Sequence, residues 1–151
     1  MISLKKKLGL GAGLAVFWAL HAMAQTEVAT GPFTEAQVED GRKLYATRCA
    51  ACHLPSLVGQ GEALPLAGSQ FMAGWSNRTT QDLYSLIRAS MPKDAPGSLD
   101  DRDYANVTAF ILHANGAKAG PTGFLAAPPL RIGLIANGIA PGDIGTVPAA
   151  P

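Results

Sequence analysis

The sequence predicts an all-α protein with one small domain and three main helices. Apolar residues recur at helical spacing in three segments, residues 34–53, 80–90 and 100–115, and no βαβ pattern accompanies them. The chain has 151 residues, of which 48% are hydrophobic and 15% charged. That length leaves room for one core with flanking segments and excludes two independent domains.

The charge balance excludes one broad class of function. Twelve Lys and Arg residues oppose eleven Asp and Glu residues, for a formal net charge of +1. Such a chain lacks the excess of positive charge that binds a phosphate backbone, so we expect no nucleic-acid partner.

Residues 1–24 have the pattern of an export signal. Lys5, Lys6 and Lys7 precede the uncharged segment 8–20, and Ala22-Met23-Ala24 matches a small-x-small cleavage site. A membrane-spanning helix needs about 20 residues, and the uncharged segment is shorter than that. We therefore expect cleavage rather than a retained membrane anchor. The mature chain then begins at Gln25 with a short extension, 25–33, and has no membrane span.

The first predicted helix of the mature chain begins at Thr34, a good N-cap residue. One stripe of this helix contains Val38, Gly41, Tyr45, Cys49 and Cys52. Glycine costs about 1 kcal/mol of helix propensity relative to alanine, so Gly41 predicts that another backbone crosses close to it.

The helix ends in the motif Cys49-Ala50-Ala51-Cys52-His53, the attachment signature of c-type haem. Cysteines three residues apart lie on one side of a helical turn, so both sulfurs can reach the two vinyl groups on one porphyrin edge. His53 can then donate an imidazole nitrogen to the iron as the proximal ligand. The motif occurs once and predicts one covalent haem.

Other interpretations of the two cysteines are weaker. A disulfide between Cys49 and Cys52 is the main alternative in an exported protein. A thioredoxin-like redox pair would require a βαβ setting. A tetrahedral zinc site would require four ligands, whereas the mature chain offers two cysteines, His53 and the distant His113.

The second helix, residues 80–90, leads to a candidate for the other axial ligand. Pro92 forces Met91 toward an extended conformation, so the Met91 thioether can leave the helix and turn toward a neighbour. Soft sulfur opposite imidazole favours ferrous iron and raises the reduction potential. Met72, between Phe71 and Trp75, fits a core-packing role better but remains an alternative ligand. An open or water-filled position remains the third alternative.

The third helix, residues 100–115, begins with acidic residues and meets Gly116 as a C-cap. Its apolar face contains Tyr104, Val107, Phe110, Ile111 and Ala114. This helix is the predicted partner for the crossing at Gly41. His113 lies off the apolar face, and we expect it to be a solvated surface histidine rather than an iron ligand.

Taken together, these residues resemble the class I monohaem cytochromes c from about residue 34 to 116. The resemblance implies a small fold of three main helices wrapped around the haem, with terminal helices crossing at Gly41, Tyr45 and Phe110. It also implies that Pro65 offers its carbonyl to the second ring nitrogen of His53, which would fix the imidazole and raise its basicity.

Residues 65–71 and 91–99 look most like the bacterial cytochrome modules that serve quinoprotein alcohol dehydrogenases. This likeness implies a partner in the periplasm. If protein side chains fill both axial positions of the iron, substrate cannot reach it, so we expect a periplasmic one-electron carrier of a respiratory chain that is not itself an enzyme. Its redox partners would be a periplasmic dehydrogenase as donor and an oxidase or another cytochrome as acceptor. We expect docking at the exposed haem edge, mainly through apolar contact, with Arg88 and Lys93 as candidate orienting charges.

The alternative function is a haem enzyme or a small-ligand sensor whose sixth iron position stays open. In that case Met91 would only pack against its neighbours.

The sequence divides into a cytochrome c domain, 34–118, and a Pro/Gly/Ala-rich C-terminal tail, 119–151. The tail is too apolar for an ideal linker and too interrupted by Pro and Gly for a helix. We expect it to lie against a partner or against the domain's own surface, with a flexible tail as the alternative.

Overall fold

The computed structural model describes residues 29–140, so the predicted export signal and the last residues of the tail lie outside the described part. The helices are α1 (Glu35–Arg48), α2 (Ala50–His53), α3 (Ser69–Trp75), α4 (Thr80–Ser90) and α5 (Asp101–Ala114), followed by 3₁₀ turns at Phe124–Ala126 and Ile132–Leu134. Within 29–140 the only β pairing is an isolated bridge between Thr79 and Arg131. The all-α prediction is therefore confirmed.

Helix α1 begins with a reciprocal capping arrangement at Thr34, the predicted N-cap. The Gln37 amide donates to Thr34 Oγ1, and the Thr34 amide donates to Gln37 Oε1, each over 3.3 Å. The helix ends earlier than predicted, because Cys49 leaves helical geometry at φ −124° and ψ −36°. The Cys52 amide then bonds the Cys49 carbonyl over 3.2 Å, a 3₁₀-type contact that tightens the turn.

The crossing of α1 and α5 is as predicted. A Cβ atom at Gly41 would run into the backbone carbonyl of Asn106, so the two backbones touch at this residue. The Tyr45 and Phe110 rings lie 5.2 Å apart at a tilt of 50° beside the contact. This crossing sets the position of α5 relative to the helix that carries the cysteines.

Helix α5 is buried on more than its predicted face. The predicted apolar residues are buried, and so are Ala105, Asn106, Thr108, Ala109 and Leu112. His113 is half-buried with Nδ1 3.2 Å from the Ala117 carbonyl, so it is less exposed than the solvated surface histidine that we expected. The added burial has a physical cause, because the chain beyond α5 folds back on the domain.

The returning segment, residues 119–140, packs on the domain's own surface. Phe124 and Ile135 are buried and Ile132 is fully buried, and all three belong to the same core as α5. The Phe124 ring lies 5.6 Å from the Tyr84 ring of α4. Thr80 donates its amide to the Leu130 carbonyl over 2.8 Å, which ties the segment to the start of α4.

None of the helices within residues 29–140 combines the length and the apolar character needed to cross a membrane.

Candidate functional site

Cys49 is the residue between α1 and α2, and Cys52 lies within α2. Both are free thiols, Cys49 half-buried and Cys52 exposed. Burial raises the pKa of the Cys49 thiol to about 11, as expected for a sulfur embedded among apolar neighbours. The pair therefore presents one sulfur packed against the core and one open to solvent, a single helical turn apart.

His53, the last residue of α2, is held by a backbone carbonyl. Its Nδ1 lies 3.0 Å from the carbonyl oxygen of Leu64. A carbonyl can only accept, so Nδ1 carries the proton in this contact and Nε2 is the nitrogen left for a metal. The arrangement is the one expected for an iron-ligating imidazole.

The carbonyl that holds His53 belongs to Leu64 and not to Pro65. The prediction that Pro65 supplies this carbonyl is therefore wrong by one residue. The Leu66 amide donates to the Leu57 carbonyl over 2.8 Å. In a trans peptide the C=O and N–H groups point in opposite directions, so this bond turns the Pro65 carbonyl away from Leu57. Pro65 acts instead on Leu64, because a residue before proline is restricted to extended conformations.

The segment from His53 to Gly68 is fixed from both sides. The chain turns after His53 through two non-glycine residues of positive φ, Leu54 at 62° and Leu57 at 60°. Such backbone persists only where neighbours hold it. Here the Tyr45 hydroxyl donates to the Leu54 carbonyl over 2.7 Å.

The other end of this segment is held by Asn115, a buried residue that sequence reasoning missed. Its Nδ2 donates to the Leu66 carbonyl over 2.9 Å, and its Oδ1 accepts from the Gly68 amide over 3.0 Å. Its position just before Gly116 suggested only a helix end. A signal was present, because asparagine in an apolar region must find hydrogen-bond partners when it is buried.

Met91 stands at the C-terminal end of α4, as predicted from Pro92. Its backbone is extended, at φ −127° and ψ 153°. The carbonyl of Met91 accepts a 2.8 Å hydrogen bond from the hydroxyl of Tyr104 on α5, and its side chain is partly buried against the core. The thioether thus sits on a backbone that is held from a neighbouring helix.

Met72 has the surroundings of a packing residue. It lies in α3 beside the stacked rings of Phe71 and Trp75, whose centroids are 6.1 Å apart. A Cβ atom at Gly138 would come within 2.8 Å of Met72 Cγ, so the returning tail segment covers this side chain. These contacts favour the core role over iron ligation.

The described residues fit a c-type haem. The donor set combines two thiols one turn apart, an imidazole whose Nδ1 is held by a carbonyl, and a thioether at a helix end. Beside them, Leu64 is 76% exposed and Val58 is 56% exposed. Large apolar side chains next to the motif are the surface that a porphyrin would cover.

The two cationic side chains expected to orient a partner are each in an ion pair. Arg88 Nε lies 2.7 Å from Asp101 Oδ1, and the Arg88 guanidinium lowers the pKa of that carboxyl below its usual value. Lys93 Nζ lies 2.9 Å from Glu62 Oε2. Both contacts offset the positive charge locally, which leaves apolar contact as the main element of the predicted docking surface.

Comparison with solved structures finds matches of low similarity. The sulfane dehydrogenase SoxCD from Paracoccus pantotrophus matches at 25% identity over 60% of this chain and 52% of that chain, with a TM-score of 0.44. The thiosulfate dehydrogenase TsdBA from Marichromatium purpuratum matches at 27% identity over 49% of this chain and 17% of that one, with a TM-score of 0.41. Cytochrome c4 from Pseudomonas stutzeri matches at 19% identity over 55% of this chain and 50% of that one, with a TM-score of 0.36.

The matched regions span at most about half of those chains. No curated protein matches the sequence.

Comparison with protein families also finds a match. Residues 36–111, about half of the chain, match the family described as cytochrome c oxidase, cbb3-type, subunit III. This range includes nearly all of α1, the whole of α2, α3 and α4, the Met91 loop and most of α5. The chain belongs to the cytochrome c family and carries a cbb3-type cytochrome c electron-transfer domain.

Proposed function

We propose that this protein is a one-electron carrier with a single covalent haem c, bound through Cys49 and Cys52 and ligated by His53 and Met91. The observation that carries the proposal is the 3.0 Å contact between His53 Nδ1 and the Leu64 carbonyl. It orients the imidazole, sets its tautomer and directs Nε2 to ligation. The haem, when bound, supplies one electron that is reversibly gained or lost between ferrous and ferric iron.

The protein's own residues perform two tasks. Cys49 and Cys52 would retain the cofactor, and His53 and Met91 would hold its iron, so substrate would have no access to the metal. The thioether of Met91, together with a low-dielectric surrounding, would favour the ferrous state of a bound haem and raise its reduction potential. Function is thereby limited to electron exchange, and we propose that the protein is not itself an enzyme.

The proposed setting is the periplasm, after removal of residues 1–24. The donor is a periplasmic dehydrogenase, and the acceptor is an oxidase or another cytochrome of a respiratory chain. The likeness of residues 65–71 and 91–99 to modules that serve quinoprotein alcohol dehydrogenases makes such an enzyme the first donor to test. Pairing of Arg88 and Lys93 with carboxylates supports an exchange site that binds its partner mainly by apolar contact.

Carbon monoxide tests the axial ligation, because it binds reduced haem iron only where a position is open. We expect the absorption spectrum of the reduced protein to stay unchanged when carbon monoxide is added at neutral pH. Met91→Ala should bind the gas rapidly and show a lower reduction potential, since the sulfur ligand is lost. The matched control is Met72→Ala, which should keep the ligation and the potential of the parent.

Two outcomes would contradict the proposal. Rapid binding of carbon monoxide by the unaltered protein would indicate an open sixth position and favour the enzyme or sensor function. A change confined to Met72→Ala would assign the ligand to Met72 instead.

A further inference from the structure

We propose that Tyr104 is a positioning residue that holds Met91 where its sulfur can reach the iron. Tyr104 is fully buried on α5, and its hydroxyl donates to the Met91 carbonyl over 2.8 Å. The same oxygen accepts from the Leu99 amide over 3.4 Å. One phenol therefore joins the first and the last residue of the 91–99 loop. The inference rests on the proposed function, because it assumes that Met91 is a ligand.

The backbone of Met91 needs such a partner. Its amide donates to the Ile87 carbonyl over 2.8 Å and closes the last turn of α4. The last carbonyls of a helix lack partners within the helix, and Pro92 has no N–H group to contribute nearby. The Tyr104 hydroxyl supplies the missing donor, so the peptide groups on both sides of the Met91 Cα are held.

A fixed backbone matters because the methionine side chain is flexible. It has three rotatable bonds beyond the backbone, so its reach is set mainly by where the Cα stands. An unheld loop would let the sulfur move away from the iron at little cost. The phenol limits this motion without touching the sulfur itself.

Helix α5 is a rigid support for the phenol. Asn106, two residues along the helix, lies against Gly41 at the crossing with α1. The Arg88–Asp101 ion pair links the last turn of α4 to the first turn of α5 on the protein surface. The position of Met91 is thus tied through Tyr104 to the same helix that packs against the cysteine-bearing helix.

A purely structural role for the hydroxyl is the competing explanation, and Tyr45 provides the matched control. Tyr45 is also fully buried, and its hydroxyl also donates to a backbone carbonyl, that of Leu54, over 2.7 Å. Tyr104→Phe and Tyr45→Phe each remove one buried hydroxyl and keep the ring. They differ in the side of the site that they loosen: Tyr45 holds the segment after His53, on the imidazole side, whereas Tyr104 holds the backbone of Met91, whose sulfur the added imidazole displaces.

The experiment measures how readily added imidazole displaces the sulfur ligand from the ferric haem protein at a fixed pH. The signal is loss of the weak absorption band of sulfur-ligated ferric iron. We expect Tyr104→Phe to raise the apparent imidazole binding constant about fivefold, the size expected for one buried hydrogen bond. Tyr45→Phe should change it by less than about twofold, although denaturant unfolding should show similar losses of stability for the two variants.

Equal effects of the two substitutions, or no effect of Tyr104→Phe, would overturn the positioning role while leaving the sulfur ligation intact. Absence of the sulfur band in the unaltered protein would instead overturn the proposed function and this inference with it. Should Tyr104→Phe fail to fold, amide hydrogen exchange in the unaltered protein provides a second test. The Leu99 amide should then be protected, and exchange as fast as in an exposed loop would overturn the loop closure.

Discussion

Gly41 allows α1 and α5 to approach until their backbones touch. A Cβ atom there would meet the Asn106 carbonyl carbon and oxygen, which belong to a helix backbone and cannot turn aside. Gly74, in α3, is the opposite case, because a Cβ atom at that position would meet nothing within 4 Å. The two glycines therefore separate the effect of close packing from the effect of helix propensity.

We expect Gly41→Ala to lower the free energy of unfolding of the haem protein by about 2 kcal/mol, because the helices must separate to admit the methyl group. Gly74→Ala should raise it by about 0.5 kcal/mol, since alanine restricts the unfolded chain and favours the helix. Urea unfolding monitored by circular dichroism measures both. Equal effects of the two substitutions would contradict the close crossing.

Individual site residues differ in how far they could be predicted. Cys49, Cys52 and His53 are predicted by their motif, because haem attachment requires these residue types at this spacing. The carbonyl that holds His53 was placed one residue away from its true position, because carbonyl direction depends on the Leu66–Leu57 backbone bond between distant parts of a loop. Tyr104 was assigned to the apolar face of its helix, and nothing in its spacing indicated where its hydroxyl would point.

At the scale of elements, the long helices follow from local signals and the short ones do not. The predicted cap at Thr34, the acidic residues that begin at Asp100 and the proline after Met91 mark three helix boundaries to within one residue. Helix α3, seven residues long, was not predicted. Its N-cap residue is Gly68, which has φ 85° and makes no side-chain capping bond, so neither a typical capping residue nor a long apolar repeat indicates this helix.

The tail segment 119–140 is an element of the fold whose contacts depend on the rest of the chain. Ile132, in its second 3₁₀ turn, is fully buried, while Leu134 in the same turn is 68% exposed. The sequence shows two similar aliphatic residues and cannot tell which one faces the core. Which of the two is buried depends on how this turn packs against α3 and the rest of the folded chain.

We expect Ile132→Ala to cost about 3 kcal/mol of unfolding free energy, because it leaves a cavity in the core. Leu134→Ala is the control and should cost less than about 0.5 kcal/mol, as for other exposed positions. Thermal or urea unfolding of the haem protein measures the difference. A loss of stability no larger for Ile132→Ala than for Leu134→Ala would contradict the packing of the tail segment on the domain.

At the scale of the whole molecule, the matched family range and the folded core do not coincide. The family match ends at residue 111, yet buried side chains continue through Phe124, Ile132 and Ile135. The tail segment thus enlarges the core of a small domain. Unlike the buried side chains of the tail segment, Leu64 and Val58 are exposed. They lie beside the motif, where the proposed haem would cover them.

The central claim is that one haem is bonded to Cys49 and Cys52, and intact mass spectrometry of the purified, exported protein under denaturing conditions tests it most directly. The account predicts a coloured protein whose mass equals the processed polypeptide plus one haem, and a Cys49→Ala, Cys52→Ala double variant without the added mass. A colourless protein with the mass of the polypeptide alone would contradict the account.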